Sequence, residues 1–169
     1  MPDGVVSRQR VAAYVIRQRG PRSSELLVFE QAGTPDAGTQ VPAGGIVAGE
    51  SAEGAVVREV AEETGLIGVA IRSRVHTEDK PHPVTGQPRS TTFFVLDAPA
   101  DAQDAWSHTV SGRDADAGLI FHCRFVALPL QVPLADGQDT WLGLVDPTFA
   151  TTPAARTRCA EVLRSRHLQ

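Results

Sequence analysis

The stretch REVAEETG, from Arg58 to Gly65, gathers carboxylates at helical spacing. Glu59 stands three residues before Glu62 and four before Glu63. At about 100° per residue, a helix confines them to an arc of roughly 100°, bordering an apolar stripe of Ala52, Val56 and Val60. Like charges so placed repel by roughly 0.2–0.5 kcal/mol per pair. Gly65 reads as the residue just past the helix end, where the dipole also disfavours Glu62 and Glu63. Arg58, four residues before Glu62, offsets part of this, but one guanidinium does not neutralise three acids. A solvated acidic face is what most such clusters are. The other reading is a set of hard oxygen ligands, suited to Mg²⁺ or Mn²⁺ and not to a soft metal. Glycine on both flanks favours the second, because main chain can then approach whatever the carboxylates hold.

Such a helix needs a sheet to pack on, and the flanking sequence supplies strands. RVAAYVIRQR (10–19) and ELLVFEQ (25–31) read as strands joined by the turn GPRSS. The loop AGTPDAGTQ leads into VPAGG, a break rich in Gly and Pro. From Ser51, a capping residue, to Thr64 the pattern is helical. LIGVAIRSRVH and STTFFVLDA form a long hairpin around TEDKPHPVTGQPR. An acidic, mobile-looking stretch precedes another strand, GLIFHCRFVAL, and DGQDTWLGLV reads as a short helix. From Pro153 the tail is a terminal helix, about 153–167, with Pro in its first turn. Strands on both sides of a central helix predict a mixed α/β sandwich. One domain over residues 1–169 is expected, with its core at about 10–145.

With 41% hydrophobic and 21% charged residues, the chain has the makeup of a globular protein able to bury a core. A net charge of −4 gives no general attraction to nucleic acid or to an anionic membrane. Fifteen of its sixteen basic residues are Arg, Lys80 being the exception. Guanidinium groups fork onto oxyanions, so this suits phosphate recognition; compositional bias explains it equally well. Cys123 and Cys159 form no C-x-x-C pair and read as free thiols in a reducing compartment. MPDGVVSRQR lacks the apolar core of a signal peptide, and no segment approaches a membrane span, so a cytoplasmic location is expected.

The wider segment GGIVAGESAEGAVVREVAEETGL, Gly44 to Leu66, resembles the Nudix hydrolase signature G-x5-E-x7-R-E-U-x-E-E-x-G-U, where U is a bulky aliphatic residue. Gly44, Glu50, Arg58, Glu59, Val60, Glu62, Glu63, Gly65 and Leu66 fill every defining position. Such agreement arises by chance in far fewer than about one in a million chains of this length. The resemblance implies a Nudix-type α/β/α sandwich with a mixed sheet and a catalytic loop–helix–loop. It also implies hydrolysis of a nucleoside diphosphate linked to another group, with divalent metal, Mg²⁺ or Mn²⁺, as cofactor. Glu59, Glu62 and Glu63 would then be the metal-binding acids, with the Ala43 carbonyl as a further ligand. Arg58 would steady the catalytic carboxylates. Gly44, Glu50 and Gly65 would be structural, with a metal role for Glu50 left open. The general base would be Glu59 inside the motif, or Asp114 or Asp116 of SGRDADAGLIF outside it; an acidic solvent loop is the other reading of that pair.

The histidines His76, His82, His108, His122 and His167 show no metal-ligand spacing, and His122 reads as a core residue. Trp106 and Trp141 suit packing or base stacking. Arg72, Arg74 and Arg89 flank the hairpin, where they either reach phosphates or are solvated. Pro81 falls about fifteen residues past the motif, a weak family marker for ADP-ribose hydrolysis that a turn proline would also satisfy. The resemblance implies as partner a small nucleoside diphosphate derivative, of the ADP-ribose or nucleotide-sugar kind or a nucleoside triphosphate. A non-catalytic nucleotide sensor is the alternative, and an isoprenoid diphosphate isomerase a weaker one. By the same resemblance a homodimer is common in the ADP-ribose branch.

Overall fold

A computed structural model describes residues 4–169. Residues 1–3, on which the reading of the chain start partly rests, lie outside the described residues. The strands are β1 (Arg8–Gly20), β2 (Ser23–Gln31), β3 (Ala43–Gly45), β4 (Ala70–Asp79), β5 (Arg89–Asp97), β6 (Ala105–Thr109) and β7 (Ile120–Ala127). The helices are α1 (Ala52–Thr64) and α2 (Pro153–His167). The strands form one sheet in the order β4-β5-β1-β2-β7-β6, with β3 paired to β1. Only β1 and β5 run parallel; the other pairs are antiparallel, so the sheet is mixed.

Strand β1 explains the layering. Its run VAAYVI is buried throughout, as expected of a strand covered on both faces. Alternation sends Val11, Ala13 and Val15 into a core with Val56 and Val60 of α1. It sends Ala12, Tyr14 and Ile16 into a second core with Trp141, Leu142 and Cys159 of α2. The result is the expected α/β/α sandwich. Along one edge β1 pairs first with β3, at Arg10–Ala12, and then with β2, from Ile16 onward. β5 follows its other edge from Arg8 to Ile16.

Some local expectations need correction. VPAGG is not merely a break, because Ala43–Gly45 are short enough and flat enough to pair with β1. The acidic stretch contains β6, whose Trp106–Cys123 register adds it to the sheet edge. DGQDTWLGLV is not one helix but two 3₁₀ turns, Ala135–Gly137 and Leu142–Leu144, because Asp136 and Gly137 take positive φ (53° and 61°) and interrupt it. His122 is exposed, since β7 alternation turns Phe121, Cys123 and Phe125 inward; its Nδ1 lies 2.8 Å from Ser107 Oγ. Both cysteines are free and buried. Among the described residues no helix is long and apolar enough to cross a membrane.

Candidate active site

Helix α1 begins where Ser51 Oγ accepts from the Gly54 N–H at 3.0 Å and ends at Gly65, which takes a left-handed φ of 73°. Val56 and Val60 fasten one side of it to the sheet. That attachment fixes where the adjoining carboxylates point. Gly44, across β3–β1 from Val11, shares the α1 face of the sheet, and Glu59 lies directly on it. A Cβ at Gly44 would stand 2.2 Å from the Glu59 carboxyl carbon, so no larger residue fits without displacing that group.

Arg58 organises the acids. Its Nε and Nη2 donate to Glu50 Oε2 and Oε1 at 2.7 and 2.9 Å, a two-pronged pair. Nη1 donates to Glu59 Oε1 at 2.8 Å and to Glu62 Oε2 at 3.1 Å. Nη2 also donates to the Gly45 carbonyl at 2.9 Å, which ties the helix to β3. Hydrogen bonding to Arg58 holds the Glu50 carboxyl below the usual glutamate range. The same Glu50 pair, with Glu59 behind it, holds the Arg58 guanidinium more firmly protonated than usual.

Glu63 is buried and faces the free edge of β3. There its Oε1 accepts from the Ala43 N–H at 2.9 Å. Ala13 N–H donates to the Pro42 carbonyl and Ile46 N–H to the Gln9 carbonyl, so strand alternation turns Ala43's own N–H and C=O away from β1. The Ala43 carbonyl therefore lies on the same edge as Glu63. Burial pushes the Glu63 carboxyl well up, and Glu59 and Asp116 add like charge. Burial raises Glu59 as well; Arg58 opposes the shift, while Asp114 and Glu62 reinforce it.

Asp114 arrives from the loop between β6 and β7. That loop is anchored on the last turn of α1, whose carbonyls have no partner within the helix. Ser111 N–H donates to the Glu62 carbonyl at 3.0 Å, and His108 Nε2 lies 3.1 Å from the same oxygen. Trp106 Nε1–H donates to the Thr64 carbonyl at 2.7 Å. Gly112, at φ 98°, comes so near Glu62 that a Cβ would stand 2.6 Å from its carboxyl carbon. The loop thereby sets one carboxylate oxygen each of Glu59, Glu62 and Asp114 within 4.8 Å of one another.

These are hard oxygen donors, mutually repelling, and of them Glu59 and Glu62 pair with Arg58. The set fits a hard divalent cation such as Mg²⁺ or Mn²⁺. Glu63 and the Ala43 carbonyl, at the adjoining strand edge, are the nearby groups of the same chemistry. Asp116 stands close enough to raise Glu63 but is not among the three clustered acids. The sequence reading did not single out Gly112, His108 or the capping role of Trp106. Ser111-Gly112 just ahead of Asp114 is a turn signal that marks a tight loop, but not what the loop contacts.

A sheet covered on both faces, with a capped helix presenting R-E-x-x-E-E beside a glycine strand, defines a Nudix fold. The chain belongs to the Nudix hydrolase family: the model of the NUDIX domain matches residues 7–128. Among solved structures it resembles a UDP-X diphosphatase, with 15% identity, a TM-score of 0.60 and coverage of 85% of this chain and 63% of that one. It also resembles the NUDIX domain of Shewanella oneidensis NrtR complexed with ADP ribose (19% identity, TM-score 0.56, 90% and 88% covered). A third is the MutT NUDIX hydrolase from Burkholderia pseudomallei (22% identity, TM-score 0.53, 83% and 98% covered). No curated protein matches the chain.

Proposed function

We propose that this pyrophosphohydrolase uses Mg²⁺ or Mn²⁺ to cleave the diphosphate bridge of a nucleoside diphosphate joined to a second moiety, such as a sugar. The observation that carries the reading is the Glu59–Glu62–Asp114 cluster, with oxygens within 4.8 Å of one another. The relatives support the substrate class, since one acts on UDP-X compounds and another binds ADP ribose. A nucleoside triphosphate belongs to the same chemistry.

Glu59, Glu62 and Asp114 would hold the cation, with Glu63 and the Ala43 carbonyl completing the set at the β3 edge. When bound, the metal supplies neutralising charge for the diphosphate oxygens and lowers the pKa of water. Arg58 keeps Glu59 and Glu62 aimed, while Glu50 keeps Arg58 in place. Glu59, on the helix beside the other clustered acids, is the base of first choice for water attack on phosphorus. Asp114 and Asp116 are the alternative acceptors on the facing loop. Gly44 and Gly112 let main chain close over the carboxylates without displacing them.

The test is a panel of ADP-ribose, nucleotide sugars, dinucleoside polyphosphates and nucleoside triphosphates, assayed with Mg²⁺ or Mn²⁺ and with product identification. Glu62→Gln and Glu63→Gln variants run alongside. Turnover that is lost in both variants supports the reading. Activity that survives both substitutions removes the metal assignment. Tight nucleotide binding with no turnover of any compound would instead favour a nucleotide sensor.

A further inference from the structure

Most arginines of this chain are either exposed or paired with an acid or a carbonyl. Arg10 is neither. It is half-buried in β1, and among the described residues its guanidinium has no hydrogen-bond or ion-pair partner. Its strand position is interior: β3 lies across from it at Gly45, and β5 at Thr91.

Its surroundings make the missing partner costly. Arg8 lies directly across the strand pair from Arg89, and like charges in that position destabilise a sheet. Strand alternation puts Arg8 and Arg10 on one face, and the in-register β5 residues Arg89 and Thr91 share it. Gly45 leaves room for the Arg8 guanidinium, since a Cβ there would stand 2.9 Å from its Nη2. The local anion, Asp136, is already engaged: it accepts from Arg89 Nη2 at 2.8 Å and lies 3.0 Å from Lys80 Nζ. Burial and the charges of Arg89 and Arg8 weaken the hold of Arg10 on its proton, and Glu63 and Asp136 oppose them only in part. A strand that needed only to fold would be served better by a neutral residue at this position.

The geometry supplies an anion for it. The Arg10 face and the carboxylate face meet at β3: Glu59 lies on Gly44 from one side, and Arg10 is opposite Gly45 from the other. Glu63, at the free edge between them, contributes attractive charge to Arg10. A diphosphate whose metal-binding oxygens sit at the acids carries further oxyanions a few bonds away. We infer that Arg10, flanked by Arg8 and Arg89, is a phosphate-recognition residue that takes a second oxyanion of the substrate diphosphate across the β3 edge from the Glu59–Glu62–Asp114 cluster. This rests on the diphosphate-substrate reading above. Arg10 binds and orients; it neither holds the metal nor moves a proton. The planar fork matches two phosphate oxygens, which Lys cannot do.

The experiment measures binding and needs no turnover. Titration calorimetry follows α,β-methylene ADP and inorganic pyrophosphate, each with Mg²⁺, on the wild type, Arg10→Gln and Arg10→Lys. Mn²⁺ alone is titrated in parallel, and thermal melts record folding. Losing a charge-assisted phosphate contact should weaken both probes by about 10- to 100-fold in Arg10→Gln. Arg10→Lys should recover part of that loss, and Mn²⁺ affinity should be unchanged in both. If Arg10→Gln fails to fold, Arg10→Lys alone decides, because it keeps the charge and loses the fork. Probe affinity equal to wild type in the folded variants overturns the inference, as does an equal fall in Mn²⁺ affinity. Failure of the wild type to bind either probe overturns it as well. A protein that binds the probes through Arg10 yet hydrolyses nothing keeps this inference and loses the catalytic one.

Discussion

Replacing Gly44 by alanine puts a methyl group where the Glu59 carboxylate now lies. The new Cβ would stand 2.2 Å from the carboxyl carbon and 2.2 and 2.4 Å from its oxygens. Ordinary contact begins at 3.4 Å, so something must yield by roughly 1 Å. Gly44 has no positive φ, which removes backbone strain from the account and leaves sterics alone. The backbone cannot yield easily, because β3 is paired to β1 and tied to Arg58 through the Gly45 carbonyl. Glu59 is 2% exposed and held by Arg58, so it has little room either. Overpacking of this kind costs about 1–3 kcal/mol. At about 2–4 °C per kcal/mol for a chain of this size, the melting temperature should fall by about 2–12 °C.

On the proposed function, activity should fall more steeply, because moving the Glu59 carboxylate by about 1 Å would cost about 100-fold in kcat/KM. The two effects separate in a double variant. Glu59→Asp withdraws the carboxylate by one methylene, so Gly44→Ala/Glu59→Asp should melt higher than additivity of the single changes allows. It should not regain activity, since the oxygen remains out of place. Thermal melts and steady-state kinetics on the four proteins decide the matter. A Gly44→Ala enzyme with wild-type melting temperature and kcat/KM within about threefold would refute the steric reasoning. Strict additivity in the double variant would refute the specific pairing of Gly44 with Glu59.

Arg58→Ala leaves Glu50 and the buried Glu59 without their shared cation; discounted for the partial exposure of Arg58, the loss should be about 2–3 kcal/mol in a chemical-denaturation curve. Arg58→Lys should recover less than half of it, because one ammonium cannot fork onto Glu50 while reaching the Gly45 carbonyl. Asp114→Asn should weaken Mn²⁺ binding by about tenfold in calorimetry, with a smaller effect from Asp116→Asn; equal effects would remove Asp114 from the cluster. Burial raises the carboxyls of Glu59 and Glu63 in the fold, so the metal-free protein binds their protons more tightly than the unfolded chain does. That stabilisation is complete below the ordinary value of 4.5 and fades as pH climbs through the raised values. In chelator the melting temperature should therefore fall as pH climbs above the ordinary value of 4.5, and the gain on adding Mg²⁺ should grow as it does. Glu50, with its lowered value, acts below 4.5, whereas His76, held below 6.5 by burial, opposes the trend up to that value. A melting temperature in chelator that still rises with pH above 6.5 would contradict the burial argument.

The parts of this protein that local chemistry specifies were legible in its sequence. Ser51 capped α1 and Gly65 ended it as expected, because cap and αL preferences act within one turn. The motif acids were placed on one helical side by periodicity alone. What sequence reading missed depends on partners distant in the chain. Ala43–Gly45 carry no strand propensity and form β3 because β1 offers an edge long enough for both β2 and β3. WSHT was unremarkable until β7 supplied a neighbour. His122 looked internal from its apolar neighbours, yet strict alternation with Phe121 and Cys123 puts it outside. Asp114 could be proposed as a distal acid, but not as a member of a cluster, since its approach depends on Ser111 and Gly112 meeting the end of α1.

The end of that helix resolves the cost with which its acids began. Glutamates in a last turn are unfavourable because unpaired carbonyls leave negative charge there. Here those carbonyls are not left to themselves: the N–H groups of Gly65 and Ser111 and the Trp106 indole take Ala61, Glu62 and Thr64, and His108 lies against Glu62. Each such donor drains the charge that would repel Glu62 and Glu63. The donors from β6 and its loop also fix Asp114, so the segment that makes the acidic helix end tolerable adds one more acid to it. Arg58 cannot balance this total, and the surplus is what a divalent cation would relieve. On the proposed function, folding and metal affinity are thus coupled through one loop. Shortening the loop between Ser111 and Gly118 should lower both together, whereas Asp114→Asn should lower metal affinity with little effect on the metal-free melting temperature.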